Sequence, residues 1–306
     1  MLDFLILVTA GGIRMAIPFL LSALGELMAE QSGVRNLGLE GIIQASCFGS
    51  FCVSFLTGNS WLGLLAGASI GLIFGILSAF TMIRLGVNQL IMGVMITVLG
   101  GGMASYLYDR FFSNVIISPI KGFTNLSVPG LFQIPFLGSV LFNQNLLVYL
   151  AIFCVPLFSI FLYRTTLGLK IRAVGMSPKA ADSVGVDVYR LRYLTVILGS
   201  IMAGLAGSYL VLADLKWFTH GMSAGRGWIS LGIVIFGRWS PGRVLCGSLL
   251  FGLIYSLQFY LQSIQSVVPY QFLLMLPYLV IVITLVLSRQ ESGKPTALGT
   301  PYQRNA

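Results

Sequence analysis

Long apolar runs, separated by short polar connections, make up most of the chain. They fall at residues 4–27, 37–57, 61–83, 87–107, 144–163, 193–213, 227–237, 244–262 and 270–288. A bilayer is crossed by a helix of about 20 mostly apolar residues. The pattern therefore predicts an all-α, polytopic membrane helix bundle with about nine transmembrane segments, within a range of about eight to ten.

Two of these runs depart from a simple span. The run 227–237 is short, and it follows a glycine-rich stretch, 221–227, and precedes Arg238. It predicts a half-helix or broken span of the kind that lines cavities in transporters. The first run contains Arg14, and a charge at mid-bilayer is costly unless it faces protein or water. That segment is either a true span or a tilted, partly interfacial helix, which would leave about eight spans.

Small residues recur every four positions in the third run. They are Gly63, Gly67, Gly71, Gly75 and Ala79. Residues spaced in this way share one side of a helix, and small side chains there let another helix approach closely. We interpret the stripe as a packing surface.

The composition excludes a large soluble domain. Apolar residues make up 57% of the chain and charged residues 9%, and the mean hydropathy is +0.91. The net charge of +9 is spread between the apolar runs, which argues against nucleic acid as a partner. If the 164–192 connection is cytoplasmic, thirteen of the 18 basic residues lie inside and four outside. Since basic residues favour the cytoplasmic side, we predict the N-terminus outside and the C-terminus inside.

Residues 1–289 are predicted to form one transmembrane permease domain, with the cytoplasmic connection 164–192 within it. The polar segment 290–306 is predicted to be a disordered cytoplasmic tail.

Signatures of catalysis are missing from the sequence. There is no G-x-x-x-x-G-K-[ST] phosphate loop, and the only histidine, His220, has no second metal-binding or catalytic residue beside it. We expect no catalytic residue and no metal site, so the chain is not an enzyme.

The 164–192 connection contains signals for a short helix. Ser177 suits the N-cap, Pro178 the first helical position and Gly185 the stop. A basic loop attracted to anionic lipid is one explanation. A capped helix is more than lipid attraction needs, and it suits a mechanical contact with a cytosolic motor.

This connection, together with two other stretches, resembles ABC importer permeases of the branched-chain amino acid, ribose and nucleoside type. In that family a G-L-x-x-R-A-V-G-x-x-P-x-A-A-x-x-x-G run docks onto the ATPase, and residues 168–185 match it. The stretches 25–41 and 225–239 are similar to the family's N-terminal and distal signatures. The resemblance is closest to the shorter of the two permeases that serve nucleoside and simple-sugar uptake.

The resemblance implies a set of residues and partners. The ATPase-coupling residues would be Gly168, Arg172, Gly175, Ser177, Pro178, Ala180, Ala181 and Gly185. The partners would be ABC ATPase subunits that bind ATP and Mg, a second permease chain in a heterodimer, and an extracytoplasmic substrate-binding lipoprotein. No cofactor would be bound by this chain itself. The location would be a bacterial-type cytoplasmic membrane.

Polar residues inside or beside the apolar runs supply two further groups of candidates. A nucleoside offers a stackable base and hydroxyl groups without charge, so uncharged polar and aromatic residues are the candidates for its path. They are Gln44, Ser46, Asn88, Gln89, Thr97 and Trp228. The second group forms a predicted cluster at the inner membrane boundary, where solvated ion pairs would be structural or gating elements. Its members are Glu26, Glu30, Arg35, Asn36 and Glu40.

We therefore expect the permease subunit of an ATP-driven importer that moves nucleosides or a related small polar solute inward by alternating access. One alternative is an ion-coupled secondary carrier or a channel, which needs no ATPase. Another is the same importer class with ribose or another sugar, a branched-chain amino acid or a vitamin as its cargo.

Overall fold

A computed structural model of the chain describes residues 2–113, 118–127, 137–264, 269–287 and 293–303. This part of the chain is almost entirely helical. In order, the helices are α1 (Leu2–Gln31), α2 (Leu39–Thr57), α3 (Ser60–Ala79), α4 (Gln89–Phe112), α5 (Leu137–Leu141), α6 (Leu146–Arg164), α7 (Thr166–Met176), α8 (Pro178–Ser183), α9 (Val188–Tyr209), α10 (Arg226–Phe236), α11 (Pro241–Ser263) and α12 (Tyr270–Leu287).

Three short features interrupt or connect these helices. Two π-helical segments, Phe80–Arg84 and Leu210–Leu215, directly continue α3 and α9. Strands β1 (Asn125–Ser127) and β2 (Asn143–Asn145) pair antiparallel in a small ribbon. The all-α prediction is confirmed apart from this ribbon.

The helices follow the apolar runs closely. Within the described ranges, seven helices are long and apolar enough to cross a membrane, and the stretches Arg226–Phe236 and Gln271–Thr284 are shorter apolar helices. The first run, including Arg14, belongs to one continuous candidate span, Phe4–Gln31. Helix α10 ends one residue before the predicted broken span 227–237 does and is eleven residues long. A total of nine spans stays a prediction.

Helix α9 lies at the centre of the bundle and packs against α1, α2 and α3. The small-residue stripe of α3 forms the contact, since Gly67 lies against Ser208 and Gly204, and Gly71 lies against the carbonyl group of Ser200. Ala79 is fully buried at the end of the stripe. The prediction that this stripe is a packing surface is confirmed.

The C-terminal segment differs from the expected disordered tail. Residues 293–303 pack on the bundle, where the Ala297 amide donates a hydrogen bond to the Gly175 carbonyl (2.9 Å) and the Gly299 amide donates to the Gly33 carbonyl (3.1 Å). Pro295, Ala297 and Tyr302 are buried. Polar composition suggested disorder, but backbone hydrogen bonds and these three side chains hold the segment. Residues 288–292 and 304–306 of the predicted tail lie outside the described part.

The stripe yields a stability prediction. Gly71→Ala would place a methyl group on the backbone of α9, so we expect a loss of about 1–3 kcal/mol. Gly101→Ala in α4 is the matched control, because a methyl group there meets open space and alanine favours helix by about 0.5–1 kcal/mol. Thermal unfolding of the purified chain in detergent measures both. Equal midpoints for the two variants would contradict the packing role.

Candidate functional site

The start of the short helix α10 is held by a carboxylate from another helix. Glu40, near the start of α2, accepts hydrogen bonds from the amides of Gly225 (2.8 Å) and Gly227 (2.7 Å), one to each oxygen. The N-terminus of a helix carries unpaired N–H groups and partial positive charge, so a carboxylate satisfies and stabilises it. Gln44 accepts from the Ser223 amide (3.1 Å) just before the helix.

The loop that enters α10 needs unusual backbone conformations. Lys216, Gly221, Ala224 and Gly225 all have positive φ. Gly225, with φ of 75°, is the N-cap, and a methyl group on it would lie 2.8 Å from the Tyr278 hydroxyl. Glycine is the residue that adopts this conformation without steric cost.

A cavity of about 550 Å³ lies beside this loop, bounded by α1, the π-helical segment after α9, α10, α11 and α12. This volume falls within the usual range for small-molecule sites of about 300–1,000 Å³. Its polar and aromatic lining comprises Asp214, Thr219, Arg226, Tyr255, Gln258, Phe259, Gln262 and Tyr278.

The cavity lining contains two opposite charges, Arg226 and Asp214. The Arg226 guanidinium donates to the carbonyl groups of Met222 (2.9 Å) and Ser223 (3.3 Å), and its central carbon lies 5.2 Å from the centre of the Tyr255 ring. Asp214 interacts electrostatically with Arg226 and with Arg14 of α1. Within the described part of the chain, Asp214 makes no ion pair within 4 Å.

Several polar atoms of the lining have no partner. Among the described residues, Arg226 Nε, Gln258 Oε1 and Gln262 Nε2 are buried without a hydrogen bond, as is Arg14 Nε nearby. A buried polar group left unpaired costs about 1–3 kcal/mol. The side chains of Arg226, Gln258 and Gln262 therefore line the cavity, while these particular atoms are enclosed by protein.

The predicted path residues are not gathered around this cavity, and none of them is among its lining. Asn88 caps α4 through the Leu90 amide (2.9 Å), Gln89 accepts from the Arg35 amide (2.8 Å), and Ser46 donates to the Gly67 carbonyl (3.1 Å). Thr97 donates to the Leu37 carbonyl (3.4 Å), and Trp228 is 39% exposed. Only Gln44, through Ser223, touches the loop beside the cavity. The path role of these six residues stays a prediction.

The residues of the cavity had separate, weak signals in the sequence. Asp214 follows the predicted span 193–213, and Gln258 and Gln262 stand one helical turn apart in the span 244–262. Arg226 is one of the four basic residues on the predicted outer side, and the structure buries it beside Phe19 and Tyr255. An acidic residue at a span end and a turn-spaced glutamine pair are the signals that could have found the site.

The expected cluster of solvated ion pairs is wrong in two respects. Glu26 and Glu30 are fully buried, because the turn between α1 and α2 folds back along α1. Glu26 accepts from the Asn36 amide (2.8 Å), while Glu30 pairs with Arg35 (2.7 Å) and accepts from the Trp239 indole. Glu40 is not part of this group and lies at α10 instead.

The eight predicted coupling residues divide between anchoring and exposed positions. Gly168, Gly175 and Ala181 are buried, and Gly175 abuts the carbonyl group of Gln31 at the end of α1. Arg172 lies with its guanidinium 5.1 Å from the Tyr163 ring centre. Ser177, Ala180 and Gly185 are exposed, with Pro178 half-buried. On α8 itself, Ala181 is therefore buried against the bundle and Ala180 is exposed.

Helix α8 matches the predicted short helix in its bounds. It starts at Pro178 with Ser177 in the N-cap position, and Gly185 has φ of 83° just after it. The Ser177 side chain makes no cap hydrogen bond, contrary to expectation; its carbonyl group accepts from the Ala181 amide instead. Two exposed apolar side chains, Met176 (54%) and Val184 (77%), flank the helix.

Comparison with known proteins identifies the family. The sequence model described as "branched-chain amino acid transport system / permease component" matches residues 8–285. The chain belongs to this permease family. It is the membrane-spanning subunit of an ABC importer, in which a separate chain hydrolyses ATP, and the family implies a partner ATPase and a substrate-binding protein.

Three relatives illustrate the range of the family. A candidate glucose ABC transporter permease, TsgC13 of Haloferax volcanii, is 42% identical over 83% of this chain and 77% of its own. The guanosine ABC transporter permease NupQ of Bacillus subtilis is 32% identical over 94% and 93%, and the nucleoside ABC transporter permease NupC of Lactococcus lactis is 32% identical over 93% of each chain. Each organism also has a second, less similar relative, at 23%, 24% and 27% identity. No solved structure matches the chain.

The contact of Glu40 with α10 yields a prediction. Glu40→Gln keeps the size of the side chain but turns one acceptor into a donor that faces an N–H group. We expect a loss of stability of about 1.5–3 kcal/mol, as for a hydrogen bond to a charged group. Thermal unfolding of the purified chain measures it. Asp109→Asn is the control, because Asp109 is exposed and pairs only with His220 among the described residues; if both variants unfold alike, Glu40 does not hold α10.

Proposed function

We propose that this permease subunit carries nucleosides inward, and that the cavity beside α10 contacts the solute during transport. The polar lining of the cavity, which includes Arg226, Gln258 and Gln262, carries the proposal. Its donors and acceptors suit a molecule with hydroxyl groups and a base edge.

The aromatic residues of the same cavity support a flat solute. Tyr255, Phe259 and Tyr278 line it together with the polar groups, and aromatic faces favour stacking with a base. The names of NupQ and NupC, which cover most of the chain, also favour nucleosides. A sugar is the second candidate, because the relative with 42% identity is named for glucose and hydroxyl groups suit the same polar lining.

The family also indicates the partner subunits of the importer. We infer a heterodimer with a second permease chain, and the paired relatives in each of three organisms support it. ATP and Mg would be bound by the ATPase, and a lipoprotein would deliver the solute. The distribution of basic residues supports an N-terminus outside and a C-terminus inside a bacterial-type cytoplasmic membrane.

The coupling residues would connect the ATPase to the bundle. In this proposal, ATP binding displaces α8 together with the end of α7. There, Gly175 lies against Gln31 at the end of α1. Displacement of α1 then changes which side of the membrane the cavity faces, as alternating access requires.

Transport assays test the proposal directly. Cells with and without the chain, together with its partner subunits, would be given labelled guanosine, glucose, ribose or leucine. We expect chain-dependent guanosine uptake that survives collapse of the ion gradients and stops after ATP depletion. Uptake of glucose, ribose or leucine with the same energy dependence would support the ATP-driven importer but contradict nucleosides as its solute. Uptake that follows the ion gradient would contradict the importer.

The proposed contact between the cavity and the solute gives a second prediction. Gln258→Leu removes a polar side chain from the cavity lining, and we expect the KM for guanosine uptake to rise about two- to tenfold, since a neutral hydrogen bond contributes about 0.5–1.5 kcal/mol. Gln271→Leu makes the same exchange at an exposed position outside the cavity lining and should leave the KM unchanged. Equal KM values for the two variants would remove Gln258 from the solute site.

A further inference from the structure

The segment 293–303, which we call the C-terminal strap, is bonded to three separate parts of the bundle. Ala297 bonds to Gly175 near the end of α7, and Gly299 bonds to Gly33 in the turn between α1 and α2. Arg192 of α9 donates to the Thr300 carbonyl (3.1 Å) and to the Ser32 carbonyl (3.1 Å). The strap thus crosses the side of the bundle that carries α8.

Apolar contacts also join the strap to α8. Tyr302 forms a small cluster with Val174, Ala181 and Val188, separate from the main core of the bundle. Its ring lies 5.6 Å from that of Tyr189, whose hydroxyl donates to the Tyr302 carbonyl (3.2 Å). Ala181 is the buried residue of the short helix, so Tyr302 packs against the inner side of α8.

A groove of about 600 Å³ separates the start of α8 from the strap. One wall is made by Met176, Ser177 and Lys179, and the other by Thr296, Pro301 and Gln303. All six of these residues are exposed. The groove offers both polar and apolar surface and lies outside the candidate membrane spans.

We propose that the strap is the second wall of the surface on which the ATPase subunit docks. This inference rests on the proposed function, in which α8 contacts the ATPase. The groove is continuous with that contact, because Ser177 and Lys179 belong to α8 and its start. Two exposed apolar side chains outside the candidate spans add apolar surface here, Met176 in the groove wall and Val184 at the end of α8. The strap holds α8 by Tyr302 and receives the ATPase on its other side.

Substitution in the strap wall tests the inference in the complete importer. Pro301→Arg would place a long charged side chain in the groove, and Pro269→Arg makes the same exchange at an exposed position outside it. Val184→Lys alters the exposed surface after α8. The amount of ATPase recovered with the tagged chain after solubilisation is the measurement. We expect Pro301→Arg and Val184→Lys each to lower recovery at least tenfold, and Pro269→Arg to leave it unchanged.

The outcomes separate this inference from the proposed function. Loss of ATPase with Val184→Lys but not with Pro301→Arg overturns the strap as a docking wall and leaves the coupling role of α8 in place. Recovery that is unchanged in Pro301→Arg and in Val184→Lys overturns both the strap as a docking wall and the coupling role of α8. An unchanged thermal midpoint of purified Pro301→Arg chain shows that lost recovery does not arise from unfolding.

Chemical labelling provides a second measurement that needs no bulky substitution. Gln303→Cys, in a chain whose exposed Cys246 is replaced by serine, would be labelled with a maleimide with and without bound ATPase. We expect labelling at least fivefold slower in the complex. Thr124→Cys, exposed in the connection between α4 and α5, should label equally in both states. Labelling of Gln303→Cys that the ATPase does not slow would overturn the inference.

Discussion

Two hydrogen bonds to Glu40 allow the bundle to contain a broken helix. Backbone N–H groups at membrane depth must find partners inside the protein, because lipid offers none. The first amides of α10 are such groups, and Glu40 of α2 accepts from Gly225 and Gly227. The break lets the loop before α10 turn aside. Arg226 and residues of this loop then line the cavity.

Much of the fold could be predicted because its signals are local. Apolar runs gave the helices, and the spacing of Gly67 and Gly71 gave the surface that meets α9. The short helix α10 could be predicted because a glycine-rich stretch and Arg238 bound its apolar run. Pro178 and Gly185 bound α8 in the same way, although the expected side-chain cap of Ser177 is not formed. In each case the decisive residues lie within a few positions of the element that they define.

The cavity could not be predicted because its residues meet only in the folded bundle. Asp214, Arg226 and Gln258 come from three different elements, and each alone looks like a residue at the end of a span or on its polar side. The polar residues chosen from the sequence instead satisfy backbone groups at helix starts and helix contacts, as Asn88 and Ser46 do. The strap was missed because polar composition says nothing about backbone hydrogen bonds to distant carbonyl groups such as that of Gly33.

A series of direct contacts joins the end of α7, next to α8, to the cavity. Gly175 abuts the carbonyl group of Gln31, whose side-chain amide donates to the Trp239 carbonyl (3.2 Å). The Trp239 amide in turn donates to the Val234 carbonyl (3.2 Å) in α10. Helix α10 spans about 16 Å at about 1.5 Å per residue and carries Arg226 at its other end. In the proposed mechanism, movement of α8 is passed by Gly175 of α7 to the end of α1, and from there through the Trp239 turn to α10 and the cavity wall.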